Sequence, residues 1–353
     1  MANTILEIFE KNHQLLEWRD KVTLLSRQLV MGFSGSSKAV VMASALSEQV
    51  PKILIVTSTQ NEAEQLTGDL SAILGEDKVY SFFADDVVAA EFIFASPEKT
   101  HSRLESLNFL MDKESSGILV TSLVGTKLHL PNPEVYKDSR IDLTLGEEHD
   151  LEALSKHLTH IGYQRVEQVL SPGEFSRRGD ILDIYELTAE LPYRLEFFGD
   201  EIDRITEINV LTGEIKCQLN HIAIFPASHY VVPMEQIKKA AIHIEEELEE
   251  RVTYFKSEDK LLEAQRISER TNFDMEMLKE TGFCSGIENY SRHLSGLEPG
   301  QAPYTLMDYF GDDYLIIVDE SHKTVPQIRG MYAGDRSRKT TLVDYGFRLP
   351  SAL

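Results

Sequence analysis

Three short apolar runs constrain the fold of this chain more than any other feature. They read KILIVT at Lys52–Thr57, GILVTS at Gly117–Ser122 and YLIIVDE at residues 314–320. Their apolar residues are consecutive instead of alternating, which is typical of strands buried on both faces. A helix-forming segment, residues 61–74, separates the first two runs. The pattern predicts an α/β fold, with a parallel sheet covered by helices.

The stretch MGFSGSSKA, residues 31–39, nearly matches the phosphate-binding pattern G-x-x-x-x-G-K-[ST]. Residues 27–31 before it read as a short buried strand, and residues 38–48 read as the following helix. Ser37 stands where the pattern has glycine, and Ala39 stands where it has the hydroxyl that holds Mg²⁺. We interpret the loop as a degenerate nucleotide site, whose positions are Gly32, Gly35, Ser37, Lys38 and Ala39.

Asp319 and Glu320 directly follow the third apolar run, as in a Walker B element. In such sites the aspartate orients a Mg²⁺-bound water, and the glutamate polarises the attacking water. We therefore expect the two ends of the chain to form one cleft. Without the glycine and the hydroxyl, Asp319 and Glu320 are vestigial, no catalytic residue is expected, and Lys38 is predicted to pair with Asp319. ATP with Mg²⁺ is not expected as a cofactor.

The sequence pattern in the middle of the chain differs from that of its two ends. Short β-forming segments separated by glycine turns predict a small antiparallel α+β insertion behind one helix, residues 152–161. The predicted strands are residues 166–170, a segment around Phe175, and residues 180–185, 193–198 and 201–210. Residues 234–279 read as two helices of a hairpin packed on their own domain, with a partner-binding helix as the alternative. The predicted domains are residues 1–140, 141–222 and 223–353.

Composition limits the partners. The net charge of −23 opposes long-range attraction to a DNA backbone, although the local stretch GDRSRK, residues 334–339, is a weak candidate for DNA contact. Cys217 and Cys284 are far apart and lack metal-ligand spacing, so neither a disulfide framework nor a metal site is expected. No run of about 18 apolar residues exists, and the first 20 residues lack a signal-peptide core. These features predict a cytoplasmic protein without membrane contact.

Longer stretches resemble two related families of bacterial DNA repair. Residues 1 to about 200 resemble the N-terminal module of the transcription-repair coupling factor Mfd, through RQLVMGFSGSSKA, GILVTSLVGTKLHLPNP and GYQRVEQVLSPGEFSRRGDILDIYE. Residues from about 194 to 353 resemble the excision-repair helicase UvrB, through HIAIFPASHYVVP, GFCSGIENYSRHLSG and LIIVDESHKTVPQIRGMYAGDRSRKTTLVDYGFRLPSAL. The two resemblances meet at RLEFFGDEID. This join suggests the hypothesis of an engineered chimera that stops where UvrB would continue into a second lobe.

The resemblance implies a RecA-like domain that carries an inserted UvrA-binding domain. Its contact positions, carried over to this sequence, are Arg165, Arg178, Arg194, Glu196 and Phe197. Arginine suits this role because it pairs with carboxylates in a bidentate manner, and a phenylalanine can fill a pocket of a partner. Strand alternation places Arg194 and Glu196 on one face but Phe197 on the other, so a core position for Phe197 is the alternative.

Departures from the two families matter as much as the similarities. The segment between Tyr80 and Gly117 is too short for the tyrosine-rich hairpin with which UvrB clamps damaged DNA. Mfd's RNA-polymerase-binding domain and translocase motor have no counterpart, so no contact with RNA polymerase is expected. We therefore predict a catalytically silent adaptor of transcription-coupled nucleotide excision repair that binds UvrA. The alternative is a UvrB-type helicase lobe that binds ATP and DNA and needs a second lobe for hydrolysis.

Overall fold

A computed structural model describes residues 13–22, 27–84, 97–210, 212–228, 232–282, 284–311 and 313–353. Two predicted features extend beyond these ranges. Residues 1–12 of the start without a signal-peptide core and residues 85–96 of the segment in place of the UvrB hairpin lie outside the described residues. The chain divides into two compact units, one of residues 1–128 and 305–333 and the other of residues 129–304 and 334–353.

The α-helices lie in both units. In chain order they are α1 (His13–Val22), α2 (Ser36–Ser44), α3 (Gln60–Leu74), α4 (Pro97–Met111), α5 (Pro133–Asp138), α6 (Leu151–His160), α7 (Met234–Ser257), α8 (Leu261–Thr281), α9 (Ser291–Leu294) and α10 (Ser321–Asp344).

The strands of the described residues form three sheets. They are β1 (Lys52–Thr57), β2 (Val79–Phe82), β3 (Gly117–Ser122), β4 (Ile141–Thr144), β5 (Gln164–Arg165), β6 (Glu174–Arg178), β7 (Ile181–Ile184), β8 (Tyr193–Phe198), β9 (Glu201–Ile208), β10 (Ile215–Leu219), β11 (His221–Ile224) and β12 (Leu315–Val318).

The first unit contains the predicted parallel sheet, in the order β12-β1-β3-β2. Ile55 of β1 aligns with Val120 of β3 on one side and with Ile317 of β12 on the other. Every residue of β1 and β3 is buried, as expected for strands covered on both faces. A capping box between Thr59 and Glu62 fixes the start of α3, which packs against β1, β2 and β3. The predicted α/β class is confirmed.

The strand predicted at residues 27–31 is wrong in this structure. The segment forms no strand, and Leu29 and Met31 are 76% and 77% exposed. Apolar composition predicts that a segment can be buried, but pairing also requires a sheet edge in register with it. The following helix begins at Ser36 and ends at Ser44, which is shorter than the predicted helix.

The second unit contains a six-stranded sheet in the order β10-β9-β8-β7-β6-β5, in which only β5 and β6 are parallel. Helix α6 buries Leu154 and Leu158 in a shared core with Leu182 and Leu195 of the sheet. Strand β8 has the predicted bounds. The strand predicted at residues 166–170 is absent, because the chain pairs earlier, at Gln164–Arg165, and then turns.

The predicted helical hairpin is confirmed. Helices α7 and α8 pack against each other through a common apolar core. The members of this core that come from the two helices are Ile237, Ala240, Ala241, Ile244, Leu248, Phe255, Ala264, Ile267, Met275 and Leu278. Gly282 ends α8 in the left-handed backbone conformation, which is unfavourable for a residue with a side chain. The apolar stripe of α7 is therefore used within its own unit.

Candidate functional site

The loop and the acidic strand end that were predicted to form one cleft meet at Lys38. The Lys38 Nζ atom lies 3.0 Å from Asp319 Oδ1 and 2.8 Å from Glu320 Oε1. Asp319 comes directly after β12, and its backbone N–H donates to the carbonyl of Val56 at the end of β1. Because Lys38 lies in the first turn of α2, the predicted ion pair forms where the helix start meets the carboxyl ends of two parallel strands.

The charged forms of these groups stabilise each other. Burial lowers the pKa of Lys38, but the hydrogen bonds and charges of Glu320 and Asp319 outweigh it and raise the pKa overall. The hydrogen bond from Lys38 lowers the pKa of Glu320. Both directions favour the ionised pair. A nucleotide phosphate would have to compete with two carboxylates for the one ammonium group.

The loop retains the glycine geometry of a phosphate loop but uses its polar groups internally. Gly32 and Gly35 have φ of 94° and 57°, a region that favours glycine. The Ser37 hydroxyl donates to the Ser34 carbonyl at 2.6 Å and accepts from the Ser34 N–H at 3.1 Å. Ala39 is fully buried in the core, and its side chain has no oxygen. Ser37 therefore occupies one backbone N–H of the loop.

A second group of predicted residues meets on the exposed face of the six-stranded sheet. Asp183 of β7 lies between two arginines, and only 5% of its side chain is exposed. It accepts from Arg194 Nε at 2.7 Å and Nη2 at 2.8 Å, and from Arg178 Nη2 at 2.8 Å. The hydrogen bond to Asp183 raises the pKa of Arg194. Arg178 stays 54% exposed, so the cluster carries an excess positive charge at the surface.

Sequence reasoning missed the carboxylate that organises this cluster. Asp183 is the one acidic residue within the apolar run ILDI, and a buried charge in such a run requires a partner. That requirement is the signal that could have identified it. Glu196 lies on the same face, 3.7 Å from Arg204 of the neighbouring strand β9.

Two of the predicted contact residues lie elsewhere. Phe197 is 7% exposed and belongs to the sheet core, as its alternation with Leu195 required, so its ring does not present a contact surface. Phe198 is instead 83% exposed at the end of β8. Arg165 is exposed, but its register aligns it with the buried Phe175, which faces away from Arg178. The structure therefore does not bring Arg165 into the arginine cluster.

The basic stretch at residues 334–339 lies within α10. Asp335 is paired there with Arg338 at 3.2 Å and with Lys339 at 3.4 Å. These intrahelical pairs reduce the positive charge that the stretch presents.

Comparisons with known proteins match both the sheet and the helical hairpin. The UvrB interaction domain profile matches residues 141–230, and the profile of the UvrB third helical domain matches residues 235–296. UvrABC system protein B of Agathobacter rectalis is 48% identical over 338 residues, which are 92% of this chain and 51% of that protein. The chain is of the UvrB type. The proteins of the same name from Natranaerobius thermophilus and Staphylococcus aureus are each 43% identical, over 93% and 92% of the UvrB-type chain.

The comparisons give no support to a join between two families. Proteins with one name align with nearly the whole UvrB-type chain, including the part that resembles Mfd. The chain spans about half the length of the curated relatives it matches. The interaction-domain match covers α6, β4, β11 and the six-stranded sheet, so the arginine cluster lies within it.

Within the described ranges, no helix is both long and apolar enough to span a bilayer. Across the same residues, no three His, Cys, Asp or Glu side chains are grouped so that they could hold a metal ion.

Proposed function

We propose that this UvrB-type chain acts in bacterial nucleotide excision repair as an adaptor that binds UvrA through the exposed face of its six-stranded sheet. The observation that carries the proposal is the cluster of Arg178, Asp183 and Arg194 within the region that matches the UvrB interaction domain. The name of the matching domain describes an interaction module, and the cluster is a hydrogen-bonded group of charged side chains on the exposed face of its sheet.

The cluster has the properties of a protein contact site. Asp183 holds two Arg194 nitrogens, which fixes the plane of that guanidinium before any partner arrives. A preordered arginine loses less side-chain entropy on binding, and its remaining N–H groups can donate to a partner carboxylate. Phe198 lies at the end of the same strand as Arg194 and supplies an exposed aromatic ring. Arginine is one of the residue types enriched at interface hot spots.

We further propose that the cleft does not hydrolyse ATP. Phosphoryl transfer depends on positioned donors and a bound Mg²⁺, and the loss of such groups costs orders of magnitude in rate. Ser37 uses a loop N–H, Ala39 lacks the hydroxyl, and the two carboxylates hold Lys38. The assignment to transcription-coupled repair rests on the resemblance of residues 1 to about 200 to Mfd alone.

The binding proposal is tested by calorimetry with purified UvrA. We expect the parent chain to bind, and Arg178→Ala with Arg194→Ala to weaken binding by at least about 30-fold, since hot-spot truncations cost at least about 2 kcal/mol. Arg177→Ala is the matched control. Arg177 is the neighbour of Arg178 on β6, but its side chain pairs with Glu152 of α6, on the other side of the sheet. Equal losses for both variants, or no binding by the parent, would refute the proposed surface.

A nucleotide-binding helicase lobe is the second candidate function. The intact Asp319 and Glu320 and the retained glycine geometry of the loop favour it. In that case Mg²⁺ with ATP would displace Lys38 from the carboxylates, and DNA would bind near α10. The effect of ATP with Mg²⁺ on the Tm of the chain separates this candidate from the silent adaptor.

A further inference from the structure

A groove in the second unit follows one side of α7. Its volume is about 610 Å³, which lies within the range of about 300 to 1,000 Å³ that is typical of protein ligand sites. One wall consists of part of α7, from His243 to Tyr254, and the other wall consists of α9, residues 297–299 and Pro350. The apolar stripe of α7 faces the core of the hairpin, so the groove uses a different face of this helix. We name this site the α7 groove.

The Glu247 carboxylate in this groove is already satisfied by the chain itself. Its Oε1 atom accepts from the Ser351 N–H at 2.7 Å, and its Oε2 atom lies 2.7 Å from His293 Nε2. Arg292 Nη2 lies 3.8 Å from the same carboxylate. Burial raises the pKa of Glu247, but the contacts with His293 and Ser351 outweigh it and lower the pKa overall. Glu247 therefore joins α7 to α9 and to residue 351, and it is not free to bind a ligand.

The other basic groups of the lining also have partners. The guanidinium of Arg251 lies over the Tyr254 ring, 4.6 Å from its centre, and its Nη2 atom donates to the Val343 carbonyl at 3.1 Å. His243 Nδ1 lies 3.3 Å from Glu246 Oε2. These contacts, together with those of Glu247, engage both arginines and both histidines of the lining.

Glu250 and Glu298 are the carboxylates of the groove that remain. They belong to opposite walls, and both residues are exposed. Within the described ranges, neither side chain takes part in an ion pair or a hydrogen bond. The lining also includes the apolar side chains of Leu297 and Pro299 and the ring of Tyr254, which is 44% exposed. The groove thus combines unmatched negative charge with an apolar wall, and it favours a ligand that carries a cation on an apolar stem.

We propose that the α7 groove binds a basic segment of a partner protein. A lysine or arginine of that segment pairs with Glu250 and Glu298, while its aliphatic stem and an apolar neighbour pack on Leu297 and Pro299. The carboxylates oppose nucleic acid, because its backbone is anionic. A metal ion does not fit, since the described residues contain no group of three ligating side chains that could hold one. The proposal depends on neither UvrA binding nor ATP binding, because no residue of the groove belongs to the six-stranded sheet or to the phosphate-loop segment.

Selection from a library of random peptides displayed on phage tests this proposal. The library is first depleted on an immobilised double variant, Glu250→Gln with Glu298→Gln, and is then selected on the parent chain. Only peptides that need the two carboxylates are retained, and we expect their sequences to combine lysine or arginine with an apolar neighbour. A fluorescein-labelled synthetic copy of the most frequent sequence should bind the double variant at least about fivefold more weakly than the parent in fluorescence anisotropy, as expected for the loss of two partly exposed ion pairs.

Glu249→Gln with Glu258→Gln is the matched control. It removes the same charge from exposed positions on and directly after α7 that do not line the groove, and it should weaken binding by less than about twofold. Both double variants should keep the urea midpoint of the parent, because all four carboxylates are exposed.

Three results would overturn the proposal. Equal losses in both double variants would show a general attraction of cations to an acidic chain. Retained peptides without a basic residue, or no retained peptides, would show that the two carboxylates do not select a basic segment. Displacement of the peptide by spermidine at the peptide's own concentration would show a site for small organic cations instead of a protein segment.

Discussion

Replacing Asp183 with asparagine removes the charge that holds the arginine cluster. The carboxylate is 5% exposed and accepts three hydrogen bonds from two guanidinium groups, at 2.7, 2.8 and 2.8 Å. Breaking a buried ion pair by removing one partner costs about 3 to 5 kcal/mol. Arg178 and Arg194 are themselves partly exposed and regain contact with water. The expected loss of unfolding free energy is therefore smaller, about 2 kcal/mol. Asparagine keeps one acceptor oxygen, which also limits the loss.

Native-state hydrogen exchange measures this loss in the affected sheet. Slowly exchanging amides of β7 and β8 should exchange about 30-fold faster in Asp183→Asn, because 1.4 kcal/mol corresponds to a factor of ten. Asp203→Asn, at an exposed carboxylate of β9, is the matched control and should change exchange by less than about twofold. Adding Arg194→Met to Asp183→Asn should restore part of the protection, since it removes the unpaired charge. An increase below about threefold for Asp183→Asn would refute the energetic role of the cluster.

Three other perturbations test separate parts of the structure. Millimolar ATP with Mg²⁺ should leave the Tm of the chain unchanged, whereas bound ligand at about 100 times its Kd would add roughly 2.7 kcal/mol; a measured rise would support the helicase-lobe candidate. Burial lowers the pKa of His129 to about 4, so the unfolded chain binds a proton that the folded chain excludes. Stability should therefore fall as pH drops from about 6.5 to about 4, by about 3 kcal/mol in all, and His129→Gln should flatten this slope in urea titrations. Lys52→Met should lower the free energy of unfolding, measured in urea, by about 2 kcal/mol, because the buried Lys52 ammonium donates to three carbonyls at the end of α4. An unchanged urea midpoint would contradict this role.

The sequence predicted best the elements that are buried on both faces. The bounds of β1 and β3 follow directly from their unbroken apolar runs. The pairing of Lys38 with Asp319 was also predictable, because a helix start and a strand end with opposite charges meet at the same edge of a parallel sheet. The strand predicted at residues 27–31 was wrong because apolar composition alone does not ensure that a segment pairs with a sheet edge.

In the six-stranded sheet, strand alternation predicted which faces Arg194 and Phe197 occupy, but it did not predict the register of the neighbouring strands. The ladder between β8 and β9 shifts between Glu196 and Phe197, and no sequence signal marks that irregularity. The alignment of Arg165 depends on a two-residue parallel strand at the edge of the sheet, which is too short for a periodic pattern. The only sequence signal for Asp183 was an acidic residue within an otherwise apolar strand.

The two candidate sites differ in the sign of the charge that they leave unmatched. In the cleft one ammonium, Lys38, faces two carboxylates, so its hydrogen bonds are directed inward. On the sheet one carboxylate, Asp183, faces two guanidinium groups, and Arg178 remains largely exposed. An acidic partner group can therefore add to the sheet cluster without displacing an internal contact, whereas a phosphate entering the cleft must break one. The same comparison explains how a chain with a net charge of −23 can still offer a site for an acidic protein surface, since that site is a local excess of arginine.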